Sequence, residues 1–539
     1  MSATDKIGLR IAITFVSFAL LPVFAATSSL ARSTSHPEPA LPAGSATLAL
    51  AVNVSNGPLC TAITQSSKSS YSFAVVPGTA SGDSCPAETT SNGSTTITAL
   101  GWVANNSGFA GLSYEKSMLE SRLLDSSDTS MVALFNLLYA PNTGGVLRIG
   151  GGSVDTTLWD AAGPGETAGY IAPSDVQALA GFLQATGWKV IYGIDLDDLN
   201  TTPALAAAEA QYVAAQLGSN LLAFEIGNEP NAYSNISPWN FSAYLSRYKS
   251  YASAIQAAVP LAALVGPEVT QRNGSWSLSF GEAKVPNVVN LTEHYYIGSP
   301  AATPAPTVND LITYPDTQLQ GVLAQLEFAG YTTNTPWRID ETGSYFGGGL
   351  SGVSNAYAST LWTIDDLFTL AQFGGVSGNF HGGRTVSYSP IYNKGNSVYS
   401  VQPGFYGLYF STLMGTGAMQ AVSISGNASN VNVSAYAVGS NVLINNKSPQ
   451  TLSIALTPAQ MISTGNLQIL SNANLPNVTT LTSAQETAVL SETSGVTIQG
   501  SAIGTDGSFT PNAPYTLTAT GNVVTFTVPP LSAALVTLQ

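Results

Sequence analysis

Two glutamates, Glu229 in the run Phe224-Glu225-Ile226-Gly227-Asn228-Glu229-Pro230 and Glu341 in Trp337-Arg338-Ile339-Asp340-Glu341-Thr342-Gly343, each close an apolar, strand-like stretch. A carboxyl at the C-terminal end of a strand can project into a site, and a pair of them is the equipment for acid/base and nucleophilic cleavage of a glycosidic bond. Asn228 adds an amide that can bind a ring hydroxyl next to the scissile carbon while Glu229 protonates the leaving oxygen. That task calls for a carboxyl whose pKa is raised at rest by partial burial and by a second carboxylate nearby. Glu341 is then the ionised nucleophile, and a carboxyl separation of about 5 to 5.5 Å gives retention through a covalent intermediate. The alternative is two unrelated surface acids.

Such a pair needs a scaffold that brings strand ends together. From about residue 109 to 400 short apolar runs alternate with helix-length segments, the βα signature. The runs are Phe109 to Tyr114, Val146 to Gly150, Lys189 to Asp195, Leu222 to Glu229, Ala262 to Glu268, Val288 to Tyr296, Trp337 to Glu341 and Val376 to His381. Eight runs close a (β/α)8 barrel, whose catalytic groups sit at the C-terminal strand ends. Those ends read Glu115, Arg148, Asp195, Asn228 with Glu229, Glu268, His294 with Tyr296, Glu341 and His381. Strands 4 and 7 carry the glutamates on roughly opposite sides of the mouth. Between strands, Ser174 with Gln177 reads as a capping box on a helix that Gly187 ends, and Thr202-Pro203 opens a helix that Gly218 ends. Ser237-Pro238 opens a third, with Phe241, Tyr244, Leu245 and Tyr248 at helical spacing.

The flanks differ in character. Residues 1–31 carry Lys6 and Arg10, an apolar run from Ile11 to Phe24 and small residues at Ala25, Ala26 and Ala31, the pattern of a secretory signal peptide. An uncleaved anchor is the alternative. Residues 32–45, rich in Ser, Pro and Ala, read as a linker. Residues 46–104 read as an N-terminal β region able to pair with the C-terminal domain, residues 105–404 as the barrel, and residues 405–539, with Ser/Thr/Val/Asn alternation, as an antiparallel β-sandwich. The expected fold class is α/β plus all-β, a TIM barrel with a C-terminal β-sandwich. Export makes a disulfide between Cys60 and Cys85 plausible, two free thiols being the alternative. With 16 basic against 31 acidic residues and no basic cluster, the footprint of a nucleic-acid binder is missing. The expected location is secreted or periplasmic, without membrane insertion after signal cleavage.

Other residues have two readings each. Tyr296 can hydrogen-bond Glu341 and hold it ionised, or line the wall. His294 and His381 fall at strand ends, which favours site roles over core filling, while His36 lies in the linker. They lack a third ligand, so no zinc is invoked and no cofactor is expected. Glu115 and Arg148 either bind substrate or neutralise one another, and Asp195, Asp197 and Asp198 read as a solvated loop. Trp159, Tyr233 and Trp239 either stack on a sugar or aglycone or simply pack. Gly347-Gly348-Gly349 lacks the context of a phosphate loop; its amides can bind an anion or sugar oxygen, or it is a turn.

With these residues assembled, the chain from roughly 108 to 539 resembles glycoside hydrolase family 79, the exo-β-glucuronidases and heparanases. The resemblance rests on Gly111-Leu112-Ser113-Tyr114-Glu115, Leu147-Arg148-Ile149-Gly150-Gly151, Gly227-Asn228-Glu229-Pro230, His294-Tyr295-Tyr296, Glu341-Thr342-Gly343-Ser344 with Gly347-Gly348-Gly349, and His381-Gly382-Gly383 with Tyr388 beyond. It implies a clan A barrel plus a β-sandwich that buttresses it, Glu229 as acid/base and Glu341 as nucleophile of a retaining enzyme, and Asn228, Tyr296 and Glu115 in the sugar subsite. In glucuronate-acting members a tyrosine five residues after the nucleophile, the next glycine's amide and a tyrosine near Tyr388 bind the sugar carboxylate. Here the first of these is Phe346, preceded by Tyr345 and followed by Gly347. Loss of one charged hydrogen bond typically costs about 1.5 to 3 kcal/mol. The expectation is a secreted retaining exo-β-glycosidase acting on a carbohydrate or glycoside, first a β-D-glucuronidase. A β-glucosidase-like enzyme or one acting on esterified or methylated glucuronate comes next, then an endo-acting heparanase-like enzyme, and last a non-catalytic carbohydrate-binding protein.

Overall fold

The computed structural model describes residues 47–539 apart from 68–69, 79–83, 92–93, 105–107, 198–200, 271–273, 396 and 427–430. The signal peptide, the linker with His36, and Asp198 therefore lie outside the described residues. Among the described residues no helix is long and apolar enough to cross a membrane.

Eight parallel strands close a barrel: β1 (Ala110–Glu115), β2 (Val146–Gly150), β3 (Lys189–Ile194), β4 (Leu221–Ile226), β5 (Leu264–Val269), β6 (Val288–Gly298), β7 (Trp337–Tyr345) and β8 (Gly378–Gly382). Parallel pairing runs from β1 to β8, with register shifts in the β3–β4, β5–β6, β6–β7 and β7–β8 ladders, and closes as β8 pairs β1, Gly378 opposite Ala110 and Gly382 opposite Tyr114. β2, β5, β7 and β8 are buried at every residue, as expected for parallel strands covered on both faces.

Helix starts follow local acceptors rather than the expected residues in two cases. Helix Pro173–Thr186 begins after Ala172, whose N–H donates to Asp175 Oδ2 at 2.8 Å, while Ser174 sits inside the first turn. A carboxylate at that position outcompetes the Ser174 and Gln177 pair. Helix Phe241–Ala258 is capped by Asn240, which accepts the Ala243 N–H at 3.1 Å, so it starts beyond Ser237-Pro238. Tyr244 and Tyr248 are buried as its spacing requires.

The second domain is a 14-stranded sheet in which the N-terminal strand Leu48–Ser67 is central. Its first half pairs antiparallel with Gly417–Gly426 and parallel with Leu452–Thr457; its second half pairs with Ser70–Pro77 and Ser94–Leu100. Cys60 and Cys85 form a disulfide. Helix Pro403–Thr412 runs across residue 405, so the sheet resumes only at Gly417. Apolar side chains from well-separated strands, among them Val52, Ile444, Ile454, Phe526 and Val536, meet in a second core. The sheet thereby wraps a core of its own, and the whole is a TIM-type barrel with an antiparallel β domain.

Barrel and β domain are joined through helix Ala358–Gln372. Asp365 Oδ1 accepts from Tyr436 Oη at 2.9 Å, from Asn445 Nδ2 at 3.0 Å and from the Ser434 hydroxyl, and Oδ2 pairs with Lys447 Nζ at 2.7 Å. Burial works to lower the Lys447 ammonium and Asp365 opposes it. Removing one partner of a buried pair strands the other. Asp365→Ala is expected to destabilise the protein by about 3 to 5 kcal/mol, read from urea denaturation. A loss below about 1 kcal/mol would show that the junction does not depend on this pair.

Candidate active site

β4 and β7 position the two glutamates differently. β4 ends at Ile226, after which Gly227 (φ 83°) and Glu229 (φ 48°) turn the chain through the left-handed region. A Cβ on Gly227 would lie 2.5 Å from the Tyr233 hydroxyl, so only glycine fits there. Glu229 is not glycine and carries backbone strain, offset in part by its N–H bond to the Glu268 carbonyl at 2.8 Å. Beneath the turn, Asp155 accepts the N–H groups of Leu196 and Asn228 at 3.0 and 3.1 Å and the Tyr233 hydroxyl at 2.7 Å, which pins Asn228. Glu341 instead lies within β7, where the ladder places it beside His294 of β6.

Arg148 ties these strands together. It donates from Nε and Nη2 to both oxygens of Glu225 at 2.7 Å, from Nη2 to Asn228 Oδ1 at 2.9 Å, and from Nη1 to Glu341 Oε2. Tyr296 Oη donates to Glu341 Oε1 at 2.7 Å. Burial by itself would raise the Glu341 carboxyl, but His381, His294 and Arg148, with the Tyr296 hydroxyl, outweigh it and hold it far below the usual carboxylate range. Glu229, with a third of its side chain exposed, meets His294 Nδ1 at 3.0 Å. One carboxylate oxygen of each glutamate and a His294 nitrogen lie within 4.8 Å of one another.

His381 meets the Ser113 hydroxyl at 2.8 Å through Nδ1 and Glu115 Oε1 at 3.6 Å through Nε2. Burial pushes the Glu115 carboxyl up, yet His381 and Ser153 together bring it below its ordinary value. For His294, burial favours the neutral ring, and Glu341, Glu229 and Glu268 overcome that and raise it well above the ordinary imidazole value.

A cavity of about 440 Å³ opens over these groups, lined by Glu115, Gly152, Asn228, Glu229, Thr270, His294, Tyr296, Glu341, Phe346, Gly347, His381 and Tyr388. All the residues expected at the sugar site meet there except Tyr345. That side chain is buried at the end of β7 with its hydroxyl pushed up to about 12 by burial and by Asp310 and Asp316, because successive strand residues face opposite ways and Phe346 takes the cavity side. Arg148 does not neutralise Glu115; it lies beneath the cavity on Glu225 and Glu341. Asp195 is buried and accepts the Thr201 hydroxyl, so it is no solvated loop acid, whereas Asp197 accepts from the exposed Asn235 at 2.6 Å. Tyr233 and Trp239 pack on each other, ring centroids 5.5 Å apart, and Trp159 packs on Tyr212 at 5.3 Å; none lines this cavity. Thr270, the residue after β5, and Gly152, two residues after β2, are additions, and nearness to a strand end was the available signal. Two groups, Glu229 with His294 and Glu341, and Glu268 with His294 and Asp340, are close enough to hold an ion. Arg148 touches Glu341 and stands 3.8 Å from Glu268, supplying these carboxylates with positive charge already.

No family model matches the chain. Over 304 residues it is 23% identical to a β-glucuronidase of Aspergillus niger, a stretch covering 49% of this chain and 54% of that protein. The chain thus spans about half the length of the curated relative it matches. A 4-O-α-L-rhamnosyl-β-D-glucuronidase from Fusarium oxysporum 12S superposes with a TM-score of 0.64 at 21% identity, covering 84% of this chain and 99% of that one. A thermostable α-L-arabinofuranosidase from Thermotoga petrophila RKU-1 gives 0.56 at 12% identity, over 81% and 98% of the two chains. The fold is that of barrel-and-β-domain glycosidases. The resemblance seen in the motifs agrees with the first two of these three matches, both to glucuronidases.

The buried Arg148 network makes a prediction about stability. Arg148→Met leaves Glu225, which burial already pushes up to about 7 against the pull of Arg148, without a counter-charge. The variant is expected to lose about 3 to 5 kcal/mol at pH 8. With Glu225 raised further in the fold, the native state holds a proton that the unfolded chain has released, so stability falls as pH rises and the deficit shrinks toward pH 5. Thermal midpoints of both proteins across that range check this; a pH-independent deficit would contradict it.

Proposed function

We propose that the protein is a secreted, retaining exo-β-glycosidase whose first substrate class is β-D-glucuronides. The observation that carries this reading is the pairing of an enclosed Glu341, held ionised by Arg148 and Tyr296, with a partly exposed Glu229 whose carboxylate lies within 4.8 Å. That proximity suits double displacement. In the first step Glu341 attacks the anomeric carbon, the bond to the aglycone oxygen breaks, and Glu229 delivers its proton to that oxygen. In the second, Glu229 takes a proton from water, which attacks the same carbon and releases Glu341. Asn228, whose Oδ1 is fixed by Arg148, turns its amide NH2 toward a sugar hydroxyl, and Glu115 and His381 serve other hydroxyls. The Cys60–Cys85 disulfide supports an oxidising, exported setting.

Glycone choice turns on the cavity wall around Phe346. Among the described residues that line the cavity there is no lysine or arginine, and of these the Gly347 amide and the Tyr388 hydroxyl would meet a uronate carboxylate. Phe346, 48% exposed and edge-on to Tyr296, supplies no hydroxyl. That observation favours a second reading, a neutral or esterified glycone.

The test is kcat/KM on paired p-nitrophenyl β-D-glucuronide and β-D-glucoside. Glucuronide preference is expected, with Glu341→Gln and Glu229→Gln each reducing turnover by at least about 100-fold. Phe346→Tyr is expected to raise glucuronide kcat/KM by about tenfold or more. Glucoside preference would replace the first reading by the second, and full turnover by Glu341→Gln would remove the mechanism.

A further inference from the structure

Below the cavity floor, Glu268 at the end of β5 and Asp340, the residue before Glu341 on β7, converge on the face of His294 that points away from Glu229. His294 Nδ1 is 3.0 Å from Glu229 Oε1, while its Nε2 is 3.4 Å from Glu268 Oε2 and 3.8 Å from Asp340 Oδ1. All three side chains are at most 1% exposed. Glu268 Oε1 accepts the Thr292 hydroxyl at 2.6 Å, but Glu268 Oε2, His294 Nε2 and both Asp340 oxygens lack a partner at hydrogen-bonding geometry among the described residues. Two enclosed carboxyls with atoms within 4.8 Å of a common nitrogen cannot both ionise cheaply.

We propose that Glu268 and Asp340 act as a one-proton acid pair whose single negative charge joins that of Glu341 in keeping His294 cationic, and that through His294 the pair sets the pH at which Glu341 works. Glu268 and Asp340 are thus positioning residues, and this role rests on the glycosidase reading above. Asp340 carries the proton: burial and the adjoining Glu268 both drive its carboxyl well up, with Arg148 and His294 opposing. From β2, Arg148 stands 3.8 Å from Glu268, and from β4 Glu225 faces Arg148. On β7, Arg338 faces Asp340 and Glu268, and its guanidinium is lowered to about 10 by burial against their pull. The outer helix Phe241–Ala258 contributes Tyr244 and Tyr248, whose hydroxyls stay neutral because burial and Glu268 push them up.

The sign follows from these contacts. Removing negative charge beside His294 lowers its pKa, and once its ring is neutral Glu341 loses a neighbouring cation and its carboxyl rises. The acidic limb of the pH profile, set by the nucleophile, then moves to higher pH.

The experiment is a pH titration of the histidine ring nitrogens by two-dimensional NMR on the full chain, alongside kcat/KM against pH on the better nitrophenyl glycoside. With three histidines in the sequence, His294→Asn assigns the signal. The wild-type ring is expected to be cationic at pH 7, Glu268→Gln to lower its titration by about 1 to 3 pH units, and Asp340→Asn, a neutral-for-neutral exchange, to leave it in place. Glu268→Gln also moves the acidic limb of the activity profile to higher pH, whereas a merely structural role scales its height only. A neutral wild-type His294 at pH 7, an unmoved titration in Glu268→Gln, or an equal shift in Asp340→Asn would each overturn the proposal. Were Glu268→Gln not to fold, a cationic wild-type ring with an unmoved Asp340→Asn titration would support it. Absence of glycosidase activity would remove the proposed function while the ring titration still decides this one.

Discussion

A guanidinium sealed inside the barrel is the constraint on which the site depends. Arg148 is wholly buried, and taking it out of water costs several kcal/mol unless its donors are occupied. Glu225 takes two of them, Asn228 and Glu341 take others, and so β2, β4 and β7 are locked in one relative arrangement. Room for the group comes from the backbone: a Cβ on Gly150 would lie 2.2 Å from the guanidinium carbon. The same contact that fixes the barrel register therefore keeps Glu341 ionised and turns Asn228 toward the cavity.

The two glutamates differ because their backbone settings differ. Glu341 belongs to a strand buried along its whole length, where fixed partners can surround it. Glu229 lies past the end of β4 on a left-handed residue, which carries its carboxyl out to the cavity and leaves it partly in solvent. The β domain contributes at one remove. Its Lys447, Asn445, Tyr436 and Ser434 grip helix Ala358–Gln372, which follows β7 in the chain and packs on β8 through Trp362 against Phe380.

Much of this was legible in the residues because buried parallel strands leave continuous apolar runs, and because chemistry collects where those runs end. That logic located all eight strands and brought Glu115, Glu229, His294, Glu341 and His381 to one end of the barrel. What it missed depends on side-chain direction and register. The partner of Arg148 is Glu225 rather than Glu115, a choice made by the neighbouring ladder. Tyr345 and Phe346 are adjacent, and only the strand's pleat decides which faces the cavity. Tyr233 and Trp239 had the chemistry to stack on a sugar, but the turn after β4 folds them onto each other, the Tyr233 hydroxyl donating to Asp155 and the Trp239 indole N–H to the Pro230 carbonyl. Asp175 displaced Ser174 as the acceptor at a helix start because its carboxylate reaches the Ala172 N–H.

Trapping the covalent intermediate would show whether Arg148 and Tyr296 hold Glu341 as an ionised nucleophile facing the proton donor Glu229. The protein would be treated with a 2-deoxy-2-fluoro glycosyl fluoride of the preferred glycone, digested, and its peptides sequenced by mass spectrometry. One stoichiometric adduct is expected, on Glu341, with activity lost in step. An adduct on another carboxylate, or turnover with inversion and no adduct, would contradict it.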